Sequence, residues 1–478
     1  MMKIRSIILI TFLVVVTACT GDFEEINTHP NQLEQITAAS PLNPTIYALA
    51  NENAHEARDK TFGLMQVFYG ADQTTDQPFL YDLRQDVGAG FWNEYYRWLP
   101  NIMEMEQAAI AEEKVNYQAI ALTLKAYAFS MLTDVFGNVP MVEALKGEED
   151  VFFPEYTSQE EIYKIILEDL EKANNLYDAS VGMVYTEDIL FFNDVSKWQK
   201  FTNSLHLRLL LRVSNRAEMN SFQKMTSIIN NPSKYPIFTS NEDAAVLQVT
   251  GVAPNLSPWD RASDFNVFRY YCEFFMNNLN NFNDPRRQIY ATVARGLNDE
   301  DYAYIGQPID QRNNPLPDSI ATPSGVSNKQ VVAPMIIPML TYGEVEFIKA
   351  ELAQRGYLNN AELHYQNGTK AAIELWGAEV PEDYFENEFT AYNGTLERIM
   401  LQKYYALYFT DYQSWFEYRR TGFPVLPKSP DMLNNGEMPT RFYYPISAGT
   451  MNSENYQKAV EAMGGDEINI KVWWDTEN

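Results

Sequence analysis

Residues 116–140 read NYQAIALTLKAYAFSMLTDVFGNVP. Tyr117, Ile120, Leu124, Ala128, Met131 and Val135 recur at spacings of three and four, which gathers them on one face of a helix. Gly137 stops that helix and Pro140 stands just beyond it, because a helix end favours a residue free to take positive φ and then one that cannot continue the hydrogen-bond ladder. The predicted helix spans 116–136, and its neighbours repeat the pattern. Helices are expected over about 45–69 and 91–113. Ser158-Gln159-Glu160-Glu161 forms a capping box for another, whose face is Ile162, Ile166, Leu170, Ala173 and Tyr177. Residues 198–214 align Phe201, Leu205, Leu209 and Val213. Each stripe is core packing. Amphipathic helix pairs with short connections make the architecture of tetratricopeptide-type arrays, although the 34-residue consensus of that repeat is not cleanly present.

The character changes near Ala244. Ala245–Val249 reads as a short strand, and from Gly251 to Gln330 the chain is rich in Pro, Asn and aromatic residues, with only 264–278 helical. Long irregular segments are functional or disordered, and this one carries too many Trp, Tyr and Phe for disorder. Helices resume over 342–355, 360–376, 396–410 and 454–463. The predicted fold class is all-α, mainly helical, with tetratricopeptide-like helix pairs, a loop-rich ligand-binding region and few short strands. After a leader at 1–18, a single domain at 19–478 divides into N-terminal helix pairs (19–243), the aromatic segment (244–340) and C-terminal helices with closing loops (341–478).

The leader reads MMKIRSIILITFLVVVTA, with Lys3 and Arg5 as a basic head, an apolar middle and a small-residue exit before Cys19. That is a secretory signal peptide, too short to span a bilayer, which needs about 20 apolar residues. Val16-Thr17-Ala18-Cys19 resembles the lipobox of bacterial lipoproteins. The resemblance implies lipidation of Cys19, cleavage before it and attachment to a membrane through the lipid. No other segment is read as having the length and apolarity of a transmembrane helix. With Cys19 lipidated, Cys272 has no disulfide partner in the chain and reads as a buried small apolar residue. The net charge is −28, and loss of Lys3 and Arg5 deepens it. Such a surface repels nucleic acid, so no nucleic-acid partner is expected.

The stretch 402–424, QKYYALYFTDYQSWFEYRRTGFP, is followed by PTRFYYP at 439–445, NSENY at 452–456 and WWD at 473–475. Together these resemble the C-terminal signature of the SusD/RagB family of outer-membrane lipoproteins, in its SusD-like branch. Lys125-Ala126-Tyr127 through Pro140, WQKFTNSL at 198–205 with LRLLLR at 207–212, and TYGEV at 341–345 with ELAQRG at 351–356 match further family helices in order. Ile446-Ser447-Ala448-Gly449 departs from the pattern, which usually has a glutamate after the proline-x-serine. The resemblance implies helix pairs carrying a loop-rich binding face on the outer membrane, facing outward. It also implies a SusC-type TonB-dependent barrel as partner, over which the lipoprotein closes as a lid after capturing an oligosaccharide or a peptide.

Nothing in the residues points to catalysis. The histidines His29, His55, His206 and His364 are scattered, and Asp59 stands where a second zinc-binding histidine would follow His55-Glu56. No GxSxG, P-loop or dinucleotide fingerprint is present, and no carboxylate pair is singled out. No metal, cofactor or catalytic residue is expected. Asn298-Asp299-Glu300-Asp301 reads as a solvated acidic turn. A surface glycoside hydrolase and a protein-binding helical scaffold are the alternatives to a ligand-capturing lid. Sugar rings present C–H groups to aromatic faces, and their hydroxyls suit Asn, Asp and Arg. Two loops carry that mixture: 72–92, with Asp76, Tyr81, Asp82 and Arg84, and 259–304, with Trp259, Asp260, Arg261, Tyr270, Tyr302 and Tyr304. The resemblance places the family's ligand loops in these two regions. Trp259, set between Pro258 and Asp260, is the leading single residue. Trp198, Trp376 and Trp415 read as core, and Arg419-Arg420 as a structural fork holding the C-terminal loop to carboxylates.

Overall fold

Helix α1, Leu42–Glu56, opens the part of the chain that the computed structural model describes, which is residues 37–70 and 76–476. The leader, Cys19 and residues 72–75 of the first expected ligand loop lie outside the described residues. Helices α2 (Ala89–Ala111), α3 (Val115–Phe136), α4 (Gln159–Leu176), α5 (Val195–Arg212) and α6 (Ser221–Ile229) follow, each packed on the one before it. The link between α2 and α3 is only residues 112–114, so α3 doubles back along α2. Ser158 accepts the Glu161 amide at 3.3 Å to start α4, and Asp194 caps α5 through the amides of Ser196 and Lys197. The molecule is mainly helical, built of tetratricopeptide-like pairs with a few short strands.

Helix α3 corrects the sequence reading in one respect. It is long and apolar enough to cross a bilayer, yet nearly all of it is buried within the molecule. Its stripe is not one face of a surface helix; α3 is the core helix, covered by α2, α4 and α5. Most polar groups on it are paired inward, the buried Tyr117 hydroxyl excepted. Thr123 meets Thr202 at 2.7 Å, and Asp134 takes Arg212 at 2.8 Å, Tyr163 at 2.6 Å and the Trp474 indole N–H at 2.7 Å. Gly137 then turns at φ +89°, where a Cβ would collide with Met463.

Helices α7 (Glu273–Asn281), α8 (Tyr342–Gln354), α9 (Ala361–Leu375), α10 (Leu396–Ala406), α11 (Gln413–Thr421) and α12 (Ser453–Met463) complete the longer elements. Ala245–Val249 is a strand, as expected, and pairs antiparallel with Met335–Leu340. This pair closes the neck of the aromatic segment. Several expected helix bounds are corrected. The 264–278 helix is broken into Ala262–Asn266, a strand Arg269–Tyr271 and α7, because Phe268 takes φ +56° and the aromatic run after it favours an extended backbone. The 45–69 helix ends at Leu64, past a π-helical turn at Ala57–Thr61, and gives way to a strand at Phe68–Gly70. The 396–410 helix stops at Ala406, before the left-handed residues Phe409 and Asp411. Helices α6 and α11 were not expected. Cys272 is buried and free, and burial pushes its thiol pKa up.

Candidate functional site

The π-turn at Ala57–Thr61 is the first wall of the site. Five-residue hydrogen-bond spacing widens the backbone there, a feature that recurs at functional positions. It turns Arg58, Asp59 and Lys60 toward a cleft of about 710 Å³, within the roughly 300–1,000 Å³ range of small-molecule sites. The second wall is the loop Asp76–Phe79, which folds tightly against the first. A Cβ on Gly63 would come within 2.8 Å of Pro78, so a larger residue there would push the two walls apart. Asp76 fixes this loop by accepting the Arg84 amide at 2.8 Å and Lys60 Nζ at 3.2 Å.

The third wall is Ser263–Arg269, from the aromatic segment. It is stitched to the first wall by the antiparallel pair Phe68–Gly70 and Arg269–Tyr271, in which Tyr69 faces Tyr270. Arg58 reinforces the seam by donating to the carbonyls of Phe265, at 3.0 Å, and Asp264. Asp59 bridges Arg58 and Arg269, the latter at 3.2 Å. The two loop regions expected from the sequence therefore meet at one cleft.

At its rim Phe268 is 59% exposed and Val267 46%. A left-handed conformation on a bulky aromatic costs about 1–3 kcal/mol, so the flanking strand pairing and the Arg269–Asp59 contact must hold it. The result is a flat apolar face presented to solvent beside ion-paired polar groups. Deeper in, Glu56 accepts from the Tyr412 hydroxyl, and burial pushes its carboxyl up to about 7 against the opposing pull of Lys60. Glu52, one turn earlier, is pushed up to about 8 by burial and by the neighbouring carboxylates Glu56, Glu94 and Asp59. Among the described residues no group of three His, Cys, Asp or Glu is arranged to hold a metal ion.

Of the expected ligand-binding residues, Asp76 lines this cleft and the others do not. Trp259 is corrected to the core. Only 6% exposed, it packs edge-on against Phe265 at 4.6 Å, His55 at 5.2 Å and Phe409 at 6.0 Å, which leaves no face for a ligand. Tyr81 is 3% exposed, at a left-handed turn. Asp82 closes a bridge to Gln77, and Arg84 lies exposed beside it. Asp260 is exposed, and Arg261 forks onto Asp264 to close the short helix Ala262–Asn266. Tyr270 sits in the strand pair, half-buried. Tyr302 packs beside Gly296, and Tyr304 lies under Arg287 at 5.8 Å, both away from the cleft. Sequence reasoning missed Arg58, Asp59, Lys60, Phe268 and Arg269. The first three look like one more turn of helix. The signal for Phe268 was its place in the run Phe265-Asn266-Val267-Phe268-Arg269, where apolar residues too closely spaced for one helix face leave one outside.

A family model described as "Starch-binding associating with outer membrane" matches residues 30–445. Among solved structures, one named only as a chitin-binding protein superposes with a TM-score of 0.79 at 24% identity, covering 92% of this chain and 100% of its own. A SusD homologue from Bacteroides fragilis gives 0.76 at 23% identity, with 91% and 100% covered. A chitin-binding SusD homologue from Flavobacterium johnsoniae gives 0.75 at 19% identity, with 91% and 98% covered. These likenesses show the fold. No curated protein matches the chain.

Proposed function

The chain belongs to the SusD-like family, whose members are described as starch-binding and associated with the outer membrane, and from that premise we propose that it is a glycan-binding lipoprotein of the cell surface. In this reading Cys19 carries the lipid, the folded part faces outward, and the protein is the lid of a SusC-type TonB-dependent importer that takes up the captured oligosaccharide. The observation that carries the reading is Phe268. It is an exposed aromatic held in a strained backbone conformation, at the cleft where the two expected ligand loops meet. An aromatic face beside carboxylates and guanidinium groups suits the C–H face and the hydroxyls of a sugar. Two structural neighbours named as chitin-binding support a carbohydrate rather than another ligand class.

The reading is one of capture without turnover. Its test is titration of the mature lipoprotein, in detergent, with a panel of oligosaccharides, together with purification from outer membranes. Binding of at least one glycan, weakened by Phe268→Ala, and co-purification with a TonB-dependent barrel are expected. Release of shorter sugars by the purified protein, or absence from the cell surface, would contradict it.

A further inference from the structure

We propose that the cleft takes a glycan without ionised groups, and that its own ion pairs refuse both uronate- or sulfate-bearing glycans and cationic amino-sugar polymers. This rests on the glycan-binding reading above and narrows its substrate class.

Among the described residues three cations line the cleft: Arg58, Lys60 and Arg269. Each is already engaged by a carboxylate. Arg269 meets Asp59 at 3.2 Å, and Arg58 reaches the same carboxylate oxygen. The further donors of Arg58 go to the carbonyls of Asp264 and Phe265. Lys60 meets Asp76 at 3.2 Å, with both side chains mostly out of water. Asp264 is held by Arg261. Among the described lining residues the three cations thus face three aspartates, Asp59, Asp76 and Asp264, with Asp59 shared by Arg58 and Arg269. Glu56, the remaining carboxyl among the described lining residues, is tied to Tyr412 in the buried floor.

A uronate or sulfate would have to compete with Asp59 or Asp76 for the cation it holds, and displacing Asp76 would leave a mostly buried carboxylate unpaired, which is costly where water is scarce. A glucosamine ammonium group meets the mirror image of that problem. The chain's net charge of −28 adds long-range repulsion of polyanions. Neutral hydroxyls face no such conflict. A paired carboxylate still has free lone pairs, and hydroxyls both donate and accept. The exposed ring of Phe268 adds a stacking face that asks only for C–H groups.

The test compares backbone-matched glycans on the mature lipoprotein: galactan against polygalacturonate, and chitin oligosaccharides against chitosan oligosaccharides. A neutral glycan should bind, with affinity changing less than about twofold between roughly 50 and 500 mM NaCl, while the charged forms should not bind measurably. Asp59→Asn unpairs Arg58 and Arg269, and Asp76→Asn unpairs Lys60. Whichever of these variants folds should gain salt-sensitive binding of polygalacturonate. Tighter binding of a charged glycan by the wild type, or no gain in either folded variant, would overturn the proposal while leaving glycan capture intact. Failure to bind any glycan would instead remove the reading on which it rests, and the proposal with it.

Discussion

Arg208 on α5 grips Glu344 in the first turn of α8 through two nitrogens, at 2.7 and 2.5 Å, with both side chains 3% exposed. A third bond runs from Arg208 to the Met339 carbonyl at 2.8 Å. Thr341 meanwhile caps α8 through the Glu344 amide at 3.1 Å, so one residue anchors the helix start and the helix pairing together. Removing only the cation leaves a buried carboxylate unpaired. Arg208→Ala should therefore cost about 3–5 kcal/mol in urea unfolding. The double variant Arg208→Met with Glu344→Leu should recover most of that loss.

The C-terminal signature is held by Arg419. Its guanidinium lies 4.7 Å from the Trp415 ring and 4.4 Å from the Trp474 ring, donates to the Asp134 carbonyl at 2.7 Å and faces Asp475 at 3.5 Å. A lysine keeps the charge but loses the flat face and the fork. Arg419→Lys should destabilise by about 1–2 kcal/mol and expose the tail after Ile470 to limited proteolysis, where the wild type resists.

The carboxyls of Glu52 and Glu56 titrate near 8 and 7 in the fold, against an ordinary 4.5. The folded state therefore holds more protons than the unfolded chain between about pH 4.5 and 8, and stability should fall as pH rises through that window. Glu52→Gln and Glu56→Gln remove this penalty. Each should raise the melting temperature at pH 8.5 and leave it nearly unchanged at pH 5. Equal shifts at both pH values would contradict the assignment.

Much of this architecture is legible in the sequence because helix stripes, caps and stop signals are local. The α4 cap at Ser158 and the Gly137 stop of α3 can be read without knowing what packs against them. The strand Ala245–Val249 was also visible, although its partner, Met335–Leu340, lies about 90 residues away. The cleft was legible by region and not by residue. Trp259 and Phe268 lie nine positions apart in the same aromatic-rich segment, and composition treats them alike. Burial separates them, and burial depends on Phe409 and His55, which are far away in the chain. The π-turn that aims Arg58, Asp59 and Lys60 has no sequence mark, since its residues continue the helical pattern before it.

That separation is itself testable. Trp259→Ala opens a cavity among Phe265, Phe409 and His55 and should cost about 3–5 kcal/mol of stability. Phe268→Ala removes a ring already in water and should change stability by no more than about 0.5 kcal/mol. Thermal unfolding of the two variants side by side checks both.

The most direct measurement is a calorimetric titration of wild type and Phe268→Ala with the oligosaccharide that the panel selects. A stacking face of this kind contributes about 1 kcal/mol or more, so the variant should bind at least about fivefold more weakly while melting at the wild-type temperature. Unchanged affinity in a fully folded Phe268→Ala protein would place the ligand elsewhere and contradict the cleft as the capture site.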